Sequence, residues 1–233
     1  AVQLPDPNKP LIGMMSLGTS ALKYVIPLKP ALEERGFEVA VFHATGMGGR
    51  AFESLAAQGA FACVFDFCTQ ELGNHLNGSN ISAGADRLTN AGANGTPQIV
   101  APGCYDLVDV VGWQPIADKW DKHLKHAHNR LLTSIVLEAA ETKLVAQAHV
   151  DRLAQAKGPV EIILPTHGLG EWDREGADLH NPDGLAAFLA ELEASLPDNI
   201  QAHRLACHIN DAEFADKALE VFDGWCADGT VVS

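Results

Sequence analysis

The sequence predicts an α/β domain on a Rossmann-like, doubly wound, mainly parallel six-stranded sheet. Two observations carry this prediction. Short apolar runs alternate with helical patterns six times, which is the signature of a parallel sheet covered on both faces. The chain has 233 residues with 47% hydrophobic content, enough for one large core. No repeat at fixed period is present, and six strands are too few for an eight-fold barrel. The expected strand order is 3-2-1-4-5-6.

Residues 1–10, with Pro5, Pro7 and Pro10, read as a linker entering the first strand and as a lead-in from a preceding domain. Residues 11–226 form the domain and 227–233 a tail. The first strand is Leu11–Ser16. Gly18-Thr19-Ser20 is the turn into a helix that runs to Arg35 and closes at Gly36. Pro27 and Pro30 sit in its first turn or kink it. The apolar run Phe37–Phe42 reads as a buried second strand ending at His43, followed by a helix over 49–58. The third strand is Phe61–Asp66, and Thr69–His75 is a short helix or loop. A helix is expected over 83–94 and the fourth strand over 98–101. From Pro102 to Thr133 the pattern weakens into a long connection holding His123, His126 and His128, and such loops are usually functional or mobile. Leu137, Ala140, Leu144 and Ala148 mark a strong helix to Ala156. The fifth strand is Val160–Leu164. Asn181-Pro182 opens a helix burying Leu185, Phe188, Leu189 and Leu192. The sixth strand is Gln201–Cys207, and Asn210 with Glu213 makes a capping box for the last helix.

The formal charge of −14 and pI of about 5.0 exclude the basic footprint of a nucleic-acid binder. They leave room for an anionic small molecule focused locally by Lys23, Arg50 or Arg87. Five cysteines form no CxxC pair, and the odd count reads as buried thiols in a reducing compartment. No apolar run reaches the roughly 18–20 residues of a membrane span, and no signal-peptide pattern opens the chain. A cytoplasmic protein with no membrane partner is the default expectation.

In an open parallel sheet, ligands bind beyond the carboxyl ends of the strands, where the strand order reverses. The sharpest feature there is His43-Ala44-Thr45-Gly46-Met47-Gly48-Gly49-Arg50. A strand feeding a glycine-rich turn at a helix start offers unpaired amides and the positive helix end to an anion. Gly46, Gly48 and Gly49 allow close backbone approach, and Arg50 adds a planar fork. The spacing is GxGG, neither GxGxxG nor GxxxxGK[ST], and a plain tight connection is the rival reading. Thr45, Asp66, Thr69 and Glu71 join this loop as ligand-binding candidates, with Asp66 and Glu71 orienting ligand hydroxyls, holding a metal or capping helices. With the switch between strands one and four, the ligand also touches Gly18, Thr19, Ser20 and the Gly103 region. His43 and His208 are the acid–base candidates. In the expected order they stand about 19 Å apart, so they are not one pair. His126 and His128 have a chelating spacing but also read as solvated loop residues. No HExxH, CxxC…CxxC or GxSxG occurs, and no metal ligand set is assigned.

Four segments carry a family resemblance: His43 to Arg50, Ser82-Ala83-Gly84-Ala85-Asp86-Arg87-Leu88, Gly158-Pro159-Val160, and His208-Ile209-Asn210-Asp211-Ala212-Glu213-Phe214-Ala215. In order and spacing they resemble the family of the tomato mosaic virus resistance protein, an uncharacterised protein family, from about Lys9 to Trp225. The resemblance implies a protein of two α/β domains, with ATP bound by an N-terminal domain that this chain lacks. It therefore implies the C-terminal half, and no ATP-site residue carries over. Some relatives are fused to a barrel similar to phosphoenolpyruvate-utilising enzymes. His167-Gly168-Leu169-Gly170 departs from the Gly-x-Ser loop frequent in relatives, which puts a serine role there in doubt. The function so implied is binding of an anionic or phosphate-bearing metabolite within an ATP-linked protein, with no cofactor assigned to this half. The expected partners are the small molecule, the ATP-binding half and a second copy of the chain. The rival classes are a non-catalytic regulatory or protein-interaction domain and a metal-dependent hydrolase.

Overall fold

The structure is a computed structural model that describes residue 6 and residues 8–232. Most of the lead-in read over 1–10, and Ser233 of the tail, lie outside the described residues. The chain begins with β1 (Leu11–Ser16), a 3-10 turn over Gly18–Ala21, α1 (Leu22–Glu34), β2 (Glu38–His43), α2 (Met47–Ala57) and β3 (Cys63–Asp66). Next come α3 (Gln70–Leu76), α4 (Asn90–Ala93), β4 (Gln98–Val100), β5 (Leu107–Val111), β6 (Lys125–His126) and β7 (Leu132–Val136). It closes with α5 (Ala139–Leu153), β8 (Val160–Pro165), α6 (Pro182–Ser195), β9 (Gln201–Leu205) and α7 (Ala212–Asp228).

Six strands make one all-parallel sheet in the order β2-β1-β3-β4-β8-β9. Counted by sheet strand this is 2-1-3-4-5-6, which corrects the expected 3-2-1-4-5-6. The cause lies in burial. Cys63–Asp66 is buried at every position and belongs inside the sheet, whereas Phe37–Phe42 is not the buried strand its composition suggests. β2 alternates, with Val41 41% exposed, and forms the edge. α2 therefore carries the chain back across β1. Gly13 makes that crossing tight. A Cβ there would lie 2.9 Å from the rings of Phe52 and Phe61, which stack at 5.2 Å over β1.

Crossovers in such sheets are right-handed. The reversal after β2 therefore places α1 and α7 on one face and the remaining crossover helices on the other. α1 packs on α7, α2 on α4 and α5 on α6. The first face is closed by aromatic edges, Phe37 on Phe222, and Tyr24 and Phe67 on Phe214. Such contacts add about 0.5–1.5 kcal/mol each beyond area burial. Pro27 and Pro30 both lie inside α1, beyond its first turn.

The segment 102–133 is not a featureless connection. β5 pairs with β7, and β7 with β6, in an antiparallel three-stranded sheet beyond the carboxyl end of β4. The helix expected over 83–94 shrinks to α4, because Gly84 and Leu88 take positive φ (111° and 69°) and turn Arg87 inward. α7 runs to Asp228, into the segment read as a tail, and Gly229 closes it in the left-handed conformation. Among the described residues no helix is long and apolar enough to cross a membrane. All five cysteines are free thiols, four of them buried.

Candidate functional site: a cleft at the switch point

With β1 between β2 and β3, the strand order reverses at β1 and β3, and a crevice opens beyond their carboxyl ends. A cleft of about 240 Å³ lies there. Leu17, Gly18 and Thr19 line it from the end of β1, His43 and Thr45 from β2, and Gln70 from the start of α3. The small sheet adds Asp109 and Ser134, and the loops add His128, Glu171 and Trp172. The Ser20 side chain lies outside the described residues.

Three physical features mark the cleft. Gly18 takes φ +49° and starts a 3-10 turn leading into α1, and no side chain caps either start. The start of this four-residue 3-10 turn therefore meets the cleft. Gln70 is 1% exposed, and its buried Oε1 has no hydrogen-bond partner. Such an orphan acceptor costs about 1–3 kcal/mol unless something donates to it. Asp109 accepts the Ser134 hydroxyl at 2.6 Å. Burial pushes the Asp109 carboxyl up, and the Ser134 hydrogen bond, His128 and Gln70 oppose that rise. The His126 and His128 rings do not converge as chelators. Both lie against Trp172, at 4.5 and 5.3 Å between ring centroids. Among the described residues no group of three or more His, Cys, Asp or Glu side chains forms a metal cradle.

The glycine loop is used differently from the expectation. The amides of Gly46 and Gly49 donate to Glu71 Oε1, at 2.5 and 3.2 Å. A carboxylate of the protein itself sits where a ligand anion was expected. Arg50 donates to the Ser82 carbonyl at 3.2 Å, across the loop. Space explains the glycines: a Cβ at Gly48 would lie 1.9 Å from the His43 carbonyl oxygen, and one at Gly49 1.9 Å from Glu71 Oε2. Gly48→Ala is expected to lower stability by about 1–3 kcal/mol, because the obstacle is backbone. An unchanged urea midpoint would show the loop to be pliable.

Glu71 belongs to a buried charge cluster. Arg87 is 0% exposed. Its guanidinium meets both Asp66 oxygens at 2.5 and 2.7 Å, Glu53 at 3.3 Å, Glu71 at 3.2 Å and the Cys68 carbonyl at 2.9 Å. Burial alone would lower the Arg87 pKa, but Asp66, Glu53 and Glu71 outweigh it and hold the cation firmly charged. Burial pushes Glu53 up, although Arg87 and the amides of Leu88 and Asn90 draw it back. Asp66 and Glu71, expected to orient a ligand or hold a metal, are thus engaged within the fold by Arg87 and, for Glu71, by the glycine-loop amides.

Thr69 is likewise spoken for. Its hydroxyl donates to His149 Nε2 at 2.8 Å, while His149 Nδ1 donates to the Val145 carbonyl at 2.8 Å. Burial lowers the His149 pKa to about 4 and keeps it neutral. Gly103 lets two strand exits touch, since a Cβ would lie 2.2 Å from the Phe67 carbonyl. Its neighbour Cys104, at φ +55°, lines the cleft instead. His208 is 0% exposed, with Nε2 donating to Asp173 at 2.9 Å and Nδ1 accepting from the Asn210 amide at 3.1 Å. Neither nitrogen is free for a proton transfer. The Asn210 capping box does not form, because its side chain donates to Glu171 at 2.8 Å. β2, which ends at His43, and β9, which His208 follows by three residues, are the opposite edges of the sheet.

Fold and site together define a parallel α/β domain with an internally liganded glycine loop and an open switch-point cleft. The chain belongs to uncharacterised protein family UPF0261, whose C-terminal-domain model matches residues 9–226. It is 50% identical over 231 residues to a UPF0261 protein of Brucella melitensis, covering 99% of this chain and 55% of that protein. Identity to a UPF0261 protein of Clostridium tetani is 33% over 209 residues, 89% of this chain and 52% of the relative. The ToMV resistance protein Tm-1(GCR237) of Solanum lycopersicum is 29% identical over 216 residues, 90% of this chain and 29% of the relative. The chain thus spans about half the length of the bacterial relatives. A thioesterase domain from the curacin biosynthetic pathway aligns with a TM-score of 0.44 and 9% identity, over 94% of this chain and 93% of that one.

Proposed function

We propose that this domain binds a small anionic metabolite in the switch-point cleft, as the ligand-holding half of a longer ATP-linked protein. The observation that carries the reading is Gln70, a buried amide whose oxygen has no partner, on the wall of a cleft that also meets the start of an uncapped 3-10 turn. The acid group of the ligand rests on the Gly18–Thr19 amides, and a ligand hydroxyl donates to Gln70. His43, exposed at the rim, is the group free to exchange a proton with it. In this reading ATP is bound by the other half of the longer protein. That half and a second copy of this chain are the proposed protein partners. Five free thiols support a reducing, cytoplasmic setting.

The test is calorimetry with inorganic phosphate, glycerol 3-phosphate and malate. At least one is expected to bind. Gln70→Leu is expected to weaken that binding about tenfold or more; it removes the orphan acceptor but also the Gln70 hydrogen bond to the buried Asp109, so a urea midpoint checks that the variant stays folded. Unchanged affinity in Gln70→Leu, or no binding by any of the three, sinks the proposal.

A further inference from the structure

A second cleft, of about 490 Å³, shares no lining residue with the first. It lies beyond the carboxyl ends of β4 and β8, against the start of α6. Tyr105 and Asp106 follow β4, Thr166 and His167 follow β8, and Leu185, Ala186 and Leu189 of α6 form an apolar wall.

Asp106 is the anomaly. It lines this cleft and is only 3% exposed. Among the described residues its carboxyl makes no hydrogen bond or ion pair with another residue. Other buried or half-buried carboxylates do have partners. Asp66, Glu53 and Glu71 share Arg87, Asp109 has Ser134, and Asp211 has Arg174. Asp173, also in the cleft wall, accepts from His208 and from the amides of Leu169 and Gly170, at 2.6 and 3.1 Å. Gly168, at φ +126°, makes room for that bond, since a Cβ would lie 2.5 Å from the His208 ring and 2.6 Å from Asp173 Oδ1. The His167–Gly170 segment is therefore a holder for an anion beside Asp106. Burial, and then Asp173, push the Asp106 carboxyl up to about 7. The arginines at the cleft supply no counter-charge, because Arg174 pairs with Asp211 and Arg204 with Glu193. A desolvated acid next to a fixed carboxylate lacks a cation, and the wall opposite is aliphatic.

We infer that this cleft is a second ligand site, which takes a primary ammonium compound with an aliphatic body and pairs its ammonium with Asp106. The groups that face Asp106 or line the cleft with it are Tyr105, Asp173, Glu175, His167, His180 and the two paired arginines. Asp106 ionises as the amine binds, so affinity rises with pH up to about 7, by at most tenfold per unit.

The test is an NMR titration with isoamylamine hydrochloride, and with isoamyl alcohol as the uncharged analogue of the same shape. The amine is expected to bind at pH 8, about tenfold more weakly at pH 6, and at least tenfold better than the alcohol. Shift changes are expected in the amides of Thr166, Leu185 and Leu189, and not in Gly18. Asp106→Asn, which breaks no bond to another described residue, is expected to lose at least tenfold in affinity with an unshifted or raised Tm. Equal binding of amine and alcohol, no amine binding at millimolar concentration, or undiminished affinity in folded Asp106→Asn overturns the inference. Loss of amine binding in Gln70→Leu would place the amine in the first cleft and overturn it equally.

Discussion

Arg87→Met is expected to lower stability by about 3–5 kcal/mol, the range for stranding buried charge. The substitution keeps most of the side-chain volume, so a cavity is not the cause. It removes the one cation shared by Asp66, Glu53 and Glu71, each 0–2% exposed at the side chain. Buried ion clusters elsewhere are sometimes replaced by apolar groups without loss. That route is closed here. Glu71 also accepts from the Gly46 and Gly49 amides, and Glu53 from the amides of Leu88 and Asn90, so apolar replacements orphan four backbone donors. Urea unfolding at pH 7 checks this. A midpoint equal to wild type would mean that the carboxyls are neutral and the cluster is not an ion cluster.

The second large effect is a hidden pH dependence. His149 has its pKa lowered from 6.5 to about 4 in the folded protein, chiefly by burial. The unfolded chain therefore binds the proton first as pH falls, and folding loses about 3 kcal/mol between pH 6.5 and 4. Asp106 runs the other way. Its pKa rises from 3.8 to about 7, so its contribution is fully present below 3.8 and is lost, to about 4 kcal/mol, as pH climbs to 7. The two slopes oppose each other across nearly the same window, and wild type is expected to show a shallow profile there. Single variants should unmask them. Asp106→Asn becomes acid-sensitive between pH 6.5 and 4, whereas His149→Gln grows more stable on acidification. Parallel profiles for both variants and wild type would show that neither group is shifted.

The sequence shows those parts of the fold whose cause is local. α6 begins where Asn181 and Pro182 place it, with Asn181 Oδ1 accepting the Gly184 amide at 3.0 Å. A helix does form where the 137–148 spacing places one, as α5, but Ala140 and Leu144 are exposed and the buried face runs through Thr142, Val145, Ala146 and His149; Gly36 ends α1 with φ +96°. The strand order is less legible, because Phe37–Phe42 and Phe61–Asp66 are similarly apolar and only the exposed alternate residues of β2 betray an edge. The cleft is half legible. Gly18, Thr19, His43 and Thr45 line it, as strand ends at a switch point should. Asp109 and Ser134 escape notice, because they come to the cleft only when Leu107–Val111 pairs with Leu132–Val136 across a long gap. The occupant of the glycine loop is equally remote: Glu71 lies 25 residues beyond Gly46, on another element. Periodicity reports what neighbours along the chain do, and these contacts are not between neighbours.

The bond from Glu71 to the glycine loop constrains how this sequence can drift. His43–Arg50 and Ser82–Leu88 look like separate motifs, yet Arg87 grips the same carboxylate that fills the loop. Neither motif can be exchanged alone. A lineage that gives up Arg87 must also give up Glu71 and find a new acceptor for the Gly46 and Gly49 amides, and every single-step route passes through a stranded charge. Chimaeras between distant relatives should accordingly fail when the crossover falls between residues 50 and 87 and survive when both segments come from one parent.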